Sequence, residues 1–260
     1  MEMTVQGLQT HYDIAGDGKE TVLLLHGWGV DSSAMDRVVA RLKRFYRVIT
    51  VDFPAHGQTQ TPEGDFGVPE YAEWTRQFML LNEIEGVHIV AHSFGGRVAL
   101  YLAANHPRLI NKLVLTGSAG LTKEKTFKTG LKKLRYRVVR TFLQVLTYIP
   151  YLKPHAKKWL NNYRKRHNSK DYMALDERMR KNFQKIISFD SRVFLPKIKH
   201  HTLLVWGEHD SETPIWMARE LNQNLVNSSL SIIPGDHFAY AQYPDPFCDL
   251  ALDFLEETEQ

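Results

Sequence analysis

Ser93, Asp210 and His237 are of the three residue types that, brought together, turn a hydroxyl into a nucleophile. A serine attacks a carbonyl only when a base removes its proton, and the base needs an acid to hold its tautomer and stabilise its cation. Ser93 ends the apolar run Val87-His88-Ile89-Val90-Ala91-His92 and stands directly before the helix-like run Phe94-Gly95-Gly96-Arg97-Val98-Ala99-Leu100. A strand that must turn at once into a helix strains the corner residue and lifts its side chain off the sheet. Ala91 and Gly95, two residues to either side, are small enough for the close approach this turn requires. His237, in Pro234-Gly235-Asp236-His237-Phe238, follows the last predicted strand, and Asp210 follows the strand before it. The chain order of serine, aspartate and histidine is the one a nucleophile elbow of this kind predicts. Glu208 and Glu212 are the rival acids, and Glu212 is also placed to serve as a charge at the start of the helix that follows Pro214. His209 reads as a neighbour rather than as the base.

Acyl transfer also needs hydrogen-bond donors aimed at the developing oxyanion. The loop His26-Gly27-Trp28-Gly29 follows the third predicted strand, and its glycines let the backbone approach the site. The backbone N–H groups of Trp28 and Phe94 are the expected oxyanion hole, with the Trp28 indole lining the acyl pocket.

The elements that must position these residues alternate. Strand-like runs are expected at Thr4-Val5, Leu8 to Ile14, Thr21 to Leu25, Phe45 to Val51, Val87 to Ala91, Leu113 to Thr116, Thr202 to Trp206 and Leu230 to Ile233. Most are apolar throughout, the character of strands covered on both faces. Helical periodicity lies between them, at Ser33 to Leu42, Pro69 to Ile84, Phe94 to Ala104, Pro214 to Asn222 and Pro246 to Glu256. This alternation implies an α/β fold with a mostly parallel, doubly wound sheet, which 260 residues at 43% hydrophobic content can bury as one large domain. Between about Gly120 and His200 the pattern becomes helical, basic and aromatic, with breaks at Pro150 and Pro154. Residues 1–120 and 200–260 are therefore expected to form the core domain and residues 121–199 an inserted helical cap above the C-terminal edge of the sheet, where ligands bind in open α/β folds.

Five segments together, Leu25-His26-Gly27-Trp28-Gly29, Val51-Asp52-Phe53-Pro54-Ala55-His56-Gly57, Ala91-His92-Ser93-Phe94-Gly95-Gly96, Gly207-Glu208-His209-Asp210 and Gly235-Asp236-His237-Phe238, resemble the α/β-hydrolase superfamily. The likeness covers nearly the whole chain outside the cap and is strongest to the cofactor-free serine branch, with its carboxylesterases, pimeloyl-ester hydrolase and carbon–carbon bond hydrolases. It implies an α/β-hydrolase fold and ester cleavage through an acyl-enzyme, with Ser93, Asp210 and His237 as triad and no cofactor. Ala55 departs from the family, which usually has Gly there. An aspartate nucleophile is absent, which disfavours dehalogenase and epoxide-hydrolase reactions. A carbon–carbon bond hydrolase would use the same residues with a different pocket, and a ligand-binding or signalling protein would keep the triad with little turnover.

The net charge of +4 is unevenly spread: residues 121–200 hold 22 Lys or Arg against 5 Asp or Glu. Next to the apolar stretch Phe142 to Leu152, this basic cap reads as a solvated surface whose apolar face covers the pocket, as a transient docking patch for anionic lipid, or as an electrostatic guide for an anionic substrate. Nucleic acid fits least, since no binding motif accompanies the charge. The cap aromatics Phe127, Tyr136, Phe142, Tyr148, Tyr151, Trp159 and Phe183 suggest a small-molecule ester with an apolar acyl group. No metal is expected: His88 and His92 are four apart but span a strand and a turn, and His200-His201 opens a strand. Asp52 reads as a loop-shaping acid, and Arg97 either pairs with a buried acid or faces water. With one cysteine, Cys248, no signal-like start and no long apolar run, a cytoplasmic location is the expectation.

Overall fold

The computed structural model describes residues 1–122, 127–167, 175 and 177–257. In chain order the elements are β1 (Glu2–Val5), β2 (Leu8–Ala15), β3 (Thr21–Leu25), α1 (Asp36–Leu42), β4 (Arg47–Val51), α2 (Val68–Leu81), β5 (Val87–His92), α3 (Phe94–Asn105), β6 (Ile110–Thr116), α4 (Phe127–Leu146), α5 (Lys153–His167), α6 (Glu177–Ser188), β7 (Thr202–Gly207), α7 (Ile215–Asn224), β8 (Ser228–Ile233), α8 (Ala239–Gln242) and α9 (Pro244–Glu256). The strands form one eight-stranded sheet in the order β1-β2-β4-β3-β5-β6-β7-β8, antiparallel where β2 meets β1 and β4 and parallel from β4 onward.

The apolar runs at β5, β6 and β7 are buried along almost their whole length because helices cover both faces of a parallel sheet. Strand β8 departs from the expectation. It is the edge strand, partly exposed along its length, and Ile232 faces solvent. Phe45, expected to open a strand, lies in the turn before β4 and is exposed, since the helix-closing turn after α1 uses its N–H.

The chain divides into two compact units, Met1–Leu121 with Ser188–Gln260, and Thr122–Ile187. The inserted unit ends twelve residues earlier than 199: residues 188–199 belong to the core unit, tied there by the Ser191 N–H bond to the Gly120 carbonyl and by Phe189 and Phe194 against Tyr101. Within the inserted unit α4 packs on α5, with Tyr136 stacked on Tyr163 at 5.5 Å. Pro154 does not break a helix. It sits in the first turn of α5, where its missing N–H would have no intrahelical acceptor in any case.

Candidate active site

Strand registry brings the five expected site residues to one edge of the core unit. Leu25 of β3 pairs with Ala91 of β5, so the loops that follow, carrying Trp28 and Ser93, leave the sheet at the same level. These two strands flank the point where the chain reverses its direction of travel across the sheet, the place where open α/β sheets form a crevice. Gly207 of β7 pairs with Ile233 of β8, which sets the Asp210 and His237 loops side by side.

Ser93 has φ 51° and ψ −110°, a region L-residues avoid at a cost of about 1–3 kcal/mol. Three bonds hold it there: its N–H donates to the Thr116 carbonyl at 3.1 Å, and its own carbonyl accepts from Ala119 and Arg97 N–H groups. Glycine is required at Gly95, where a Cβ would lie 2.4 Å from the Leu25 carbonyl oxygen, and at Gly27, where it would lie 2.7 Å from His92 Nδ1. The Gly27 contact places the His26-Gly27-Trp28 backbone against the serine, and Gly95 N–H donates to the His26 carbonyl. The Phe94 N–H, first of α3, has no intrahelical acceptor.

Ser93 Oγ lies 2.9 Å from His237 Nε2, and His237 Nδ1 lies 2.9 Å from Asp210 Oδ2. Because a carboxylate only accepts, Nδ1 carries the proton and donates it, leaving Nε2 to accept from the serine hydroxyl. Asp210 is buried and receives further bonds from the Glu212 and Thr213 N–H groups at Oδ1 and from the Thr213 hydroxyl at Oδ2. Burial would raise its pKa, but the bonds from His237 and Thr213 outweigh it and hold the carboxyl below its usual range. Of the rival acids, Glu208 lies on the surface beside His209, and Glu212 lies 3.6 Å from His237 Nε2, on the Ser93 side of the ring rather than at Nδ1.

Three supporting residues have no assigned part in the sequence reading. Thr213 shares its hydroxyl hydrogen between Asp210 Oδ2 at 2.8 Å and the Gly117 carbonyl at 2.9 Å. The Gly117 loop, which has no acid to offer, thus contributes a carbonyl. His92 donates from Nε2 to the His237 carbonyl at 2.9 Å and packs its ring on that of His237 at 4.7 Å. His26 accepts from Phe53 N–H at Nε2 and donates from Nδ1 to the Gly27 carbonyl, fixing the turn that carries Trp28. Burial pushes His92 down to about 3 and His26 down to about 4, so both are neutral near pH 7. The spacing Asp210-x-x-Thr213 is a turn signal that would have revealed the threonine. No local signal marks the two histidines, whose partners are remote in sequence.

The half-buried Trp28 ring meets His56 edge-on at 4.7 Å, Phe94 at 5.5 Å and Tyr71 at 6.4 Å, forming an aromatic wall beside the serine. Asp52 shapes a neighbouring loop, accepting from Ser32 and Gln58 N–H groups at 2.9 Å each. Arg97 is buried, and burial lowers its pKa to about 10 against the opposing pull of the Asp190 carboxylate. Cys248 is buried too, its thiol pushed up to about 11 by burial, far from thiolate character near pH 7. Among the described residues no group of three His, Cys, Asp or Glu side chains is placed to hold a metal ion. A groove on the core unit lined by Phe66, Glu70, Glu73, Tyr101 and His106 includes none of Ser93, Asp210 and His237, and its acids are already engaged, Glu70 with Gly67 N–H and Glu73 with Arg76.

The sequence profile of the family described as alpha/beta hydrolase fold matches residues 20–244. The chain belongs to the α/β hydrolase family. This hydrolase is 29% identical over 271 residues to 2-hydroxy-6-oxononadienedioate/2-hydroxy-6-oxononatrienedioate hydrolase 2 of Pseudomonas putida, covering 96% of this chain and 92% of the relative. It is 29% identical over 256 residues to the pimeloyl-[acyl-carrier protein] methyl ester esterase of Neisseria meningitidis, covering 92% of this chain and 78% of that one. Among solved structures it is similar to a serine hydrolase involved in carbazole degradation, with 28% identity, a TM-score of 0.72 and 98% of both chains covered.

Proposed function

We propose that this hydrolase cleaves uncharged carboxylic esters through an acyl-enzyme on Ser93. The observation that carries the reading is the continuous hydrogen-bond chain from Ser93 Oγ through His237 to Asp210, both links at 2.9 Å, with the serine held at positive φ on the elbow. His237 Nε2 takes the hydroxyl proton as Oγ attacks the ester carbonyl carbon. Asp210 stabilises the imidazolium that forms. The Trp28 and Phe94 N–H groups receive the oxyanion, and the proton on Nε2 passes to the departing alkoxide as the tetrahedral intermediate collapses. Water then repeats the sequence on the acyl-enzyme, with His237 again as base, releasing the acid and restoring Ser93.

Carbon–carbon bond hydrolysis is the second reading, favoured by the dienedioate hydrolase among the relatives. That relative's named substrate is a dicarboxylate. Here the core-unit loops that carry the site present Glu208, Glu212 and Asp236 and no Lys or Arg, with Glu212 only 3.6 Å from His237 Nε2. A carboxylate beside the reacting atoms repels an anionic substrate and tolerates a neutral one. The relative named as a methyl ester esterase supports the same choice.

The test is a series of p-nitrophenyl esters from acetate to palmitate, run beside a 2-hydroxy-6-oxodienoate, on the native protein and Ser93→Ala. Ser93-dependent ester turnover with a chain-length optimum is expected. Turnover of the dienoate with none of the esters would transfer the reading to carbon–carbon cleavage, and binding without any turnover would make the protein a receptor.

A further inference from the structure

The inserted unit carries an apolar stripe that the structure leaves uncovered. Leu134, Val138, Phe142, Val145 and Ile149 recur every three or four residues along α4 and into the turn after it, and each is exposed at between 44% and 62%. At 100° per residue these positions share one face of a helix. The opposite side of α4, with Tyr136 and Val139, is less exposed and includes the Tyr136 contact to α5, so the stripe is not the seam of the α4–α5 hairpin. At the hairpin turn Tyr148 and Tyr151 are 79% and 88% exposed. Aromatic rings with a polar tip are favoured at the level of lipid headgroups.

The charge around this stripe has one sign. Residues 125–170 contain 14 Lys or Arg and no Asp or Glu. Arg135 and Arg137 flank the stripe on α4, and Lys153, Lys157 and Lys158 are exposed on α5. A second copy of the same face would meet it with like charge, which disfavours two-fold self-pairing. An anionic bilayer offers the complement to both features at once, headgroup charge for the basic flanks and an acyl boundary for the stripe.

We infer that the α4–α5 hairpin is a peripheral docking surface for membranes rich in anionic lipid. The stripe lies shallowly in the interface while the lysines and arginines engage headgroups. Among the described residues no helix is long and apolar enough to cross a membrane, so docking is reversible and salt-sensitive. This inference stands apart from the ester reading, because it requires neither Ser93 nor turnover.

The experiment is sedimentation of the 260-residue chain with phosphatidylcholine vesicles containing 30% phosphatidylglycerol, and with pure phosphatidylcholine vesicles. Binding to the anionic vesicles at 50 mM NaCl, weakened about tenfold or more at 500 mM, and little binding to the neutral ones, is expected. Val138→Glu with Val145→Glu should lower binding at least about tenfold while circular dichroism and Ser93-dependent turnover of a short soluble ester stay unchanged; Lys157→Glu with Lys158→Glu should lower it less. Absence of binding to anionic vesicles at low salt overturns the inference. So does unchanged binding in the stripe variant. Dimerisation of the native protein that Val138→Glu with Val145→Glu abolishes, without vesicle binding, would make the stripe a self-association face instead.

Discussion

The two units treat polar and apolar groups in opposite ways. In the core unit ionisable groups are buried and pinned: Asp210 receives four hydrogen bonds, and His26 and His92 are neutral imidazoles locked by backbone partners. In the inserted unit an apolar stripe on α4 is exposed, and residues 125–170 carry 14 Lys or Arg and no Asp or Glu. The chemistry proposed at Ser93 needs a proton path whose members cannot turn away, and burial with hydrogen bonding supplies that rigidity. Association with a surface needs accessible apolar area and solvent-facing charge, and burial would remove both.

The largest break in this comparison is Ser93→Ala. Turnover of the ester series should fall by about 10⁴-fold or more, with unchanged circular dichroism and unchanged vesicle binding. Loss of vesicle binding in the same variant would show that the units do not act separately. Asp210→Asn keeps the shape but no longer fixes the Nδ1–H tautomer of His237, and kcat should drop by about 10³–10⁴-fold with little change in KM.

Acid should distinguish the units next. His26 and His92 are held at about 4 and about 3, below the unfolded value near 6.5, so the unfolded chain binds protons that the folded core refuses. Their contribution is complete above about pH 6.5 and is lost as pH falls through the window toward those folded values. Between pH 6.5 and 5 the core should lose about 2 kcal/mol for each histidine, visible as a falling urea midpoint. Hydrogen exchange should show β5 and β6 losing protection while α4 and α5, whose His155 is exposed, are little changed. A flat midpoint over that range would contradict the neutral, buried assignment.

Smaller effects sharpen the picture of the pinned core. Thr213→Val removes the hydroxyl bond to Asp210 and should cost about tenfold in kcat at constant KM, measured on a short soluble ester. Ala55 sits at φ 67°, which explains why the family usually has glycine there. Ala55→Gly should therefore raise the urea-derived stability by about 1 kcal/mol and leave turnover unchanged. A destabilised Gly variant would mean that the loss of chain freedom in the unfolded state outweighs the relieved strain.

Much of the core was legible because its signals are local. The elbow announces itself by apolar strand, small residue, serine, small residue and helix, and the two later loops follow recognisable strands. Their order in the chain then matches the geometry that brings Ser93, His237 and Asp210 within hydrogen-bonding distance. The same locality explains the misses. His92 reads as a strand residue until the fold sets it against the carbonyl of a residue 145 positions later, and residues 188–199 look like insertion until Ser191 bonds to Gly120.

What the sequence determined by itself is the family and the alternation of strands and helices, since these depend on residue type and short-range pattern. What only the tertiary structure decided is which polar groups are buried together and which apolar groups are left exposed. The Leu134 to Ile149 stripe has the same periodicity whether a helix hides it or a solvent boundary meets it. Periodicity defines a face, and only the packing of the whole chain determines what that face meets.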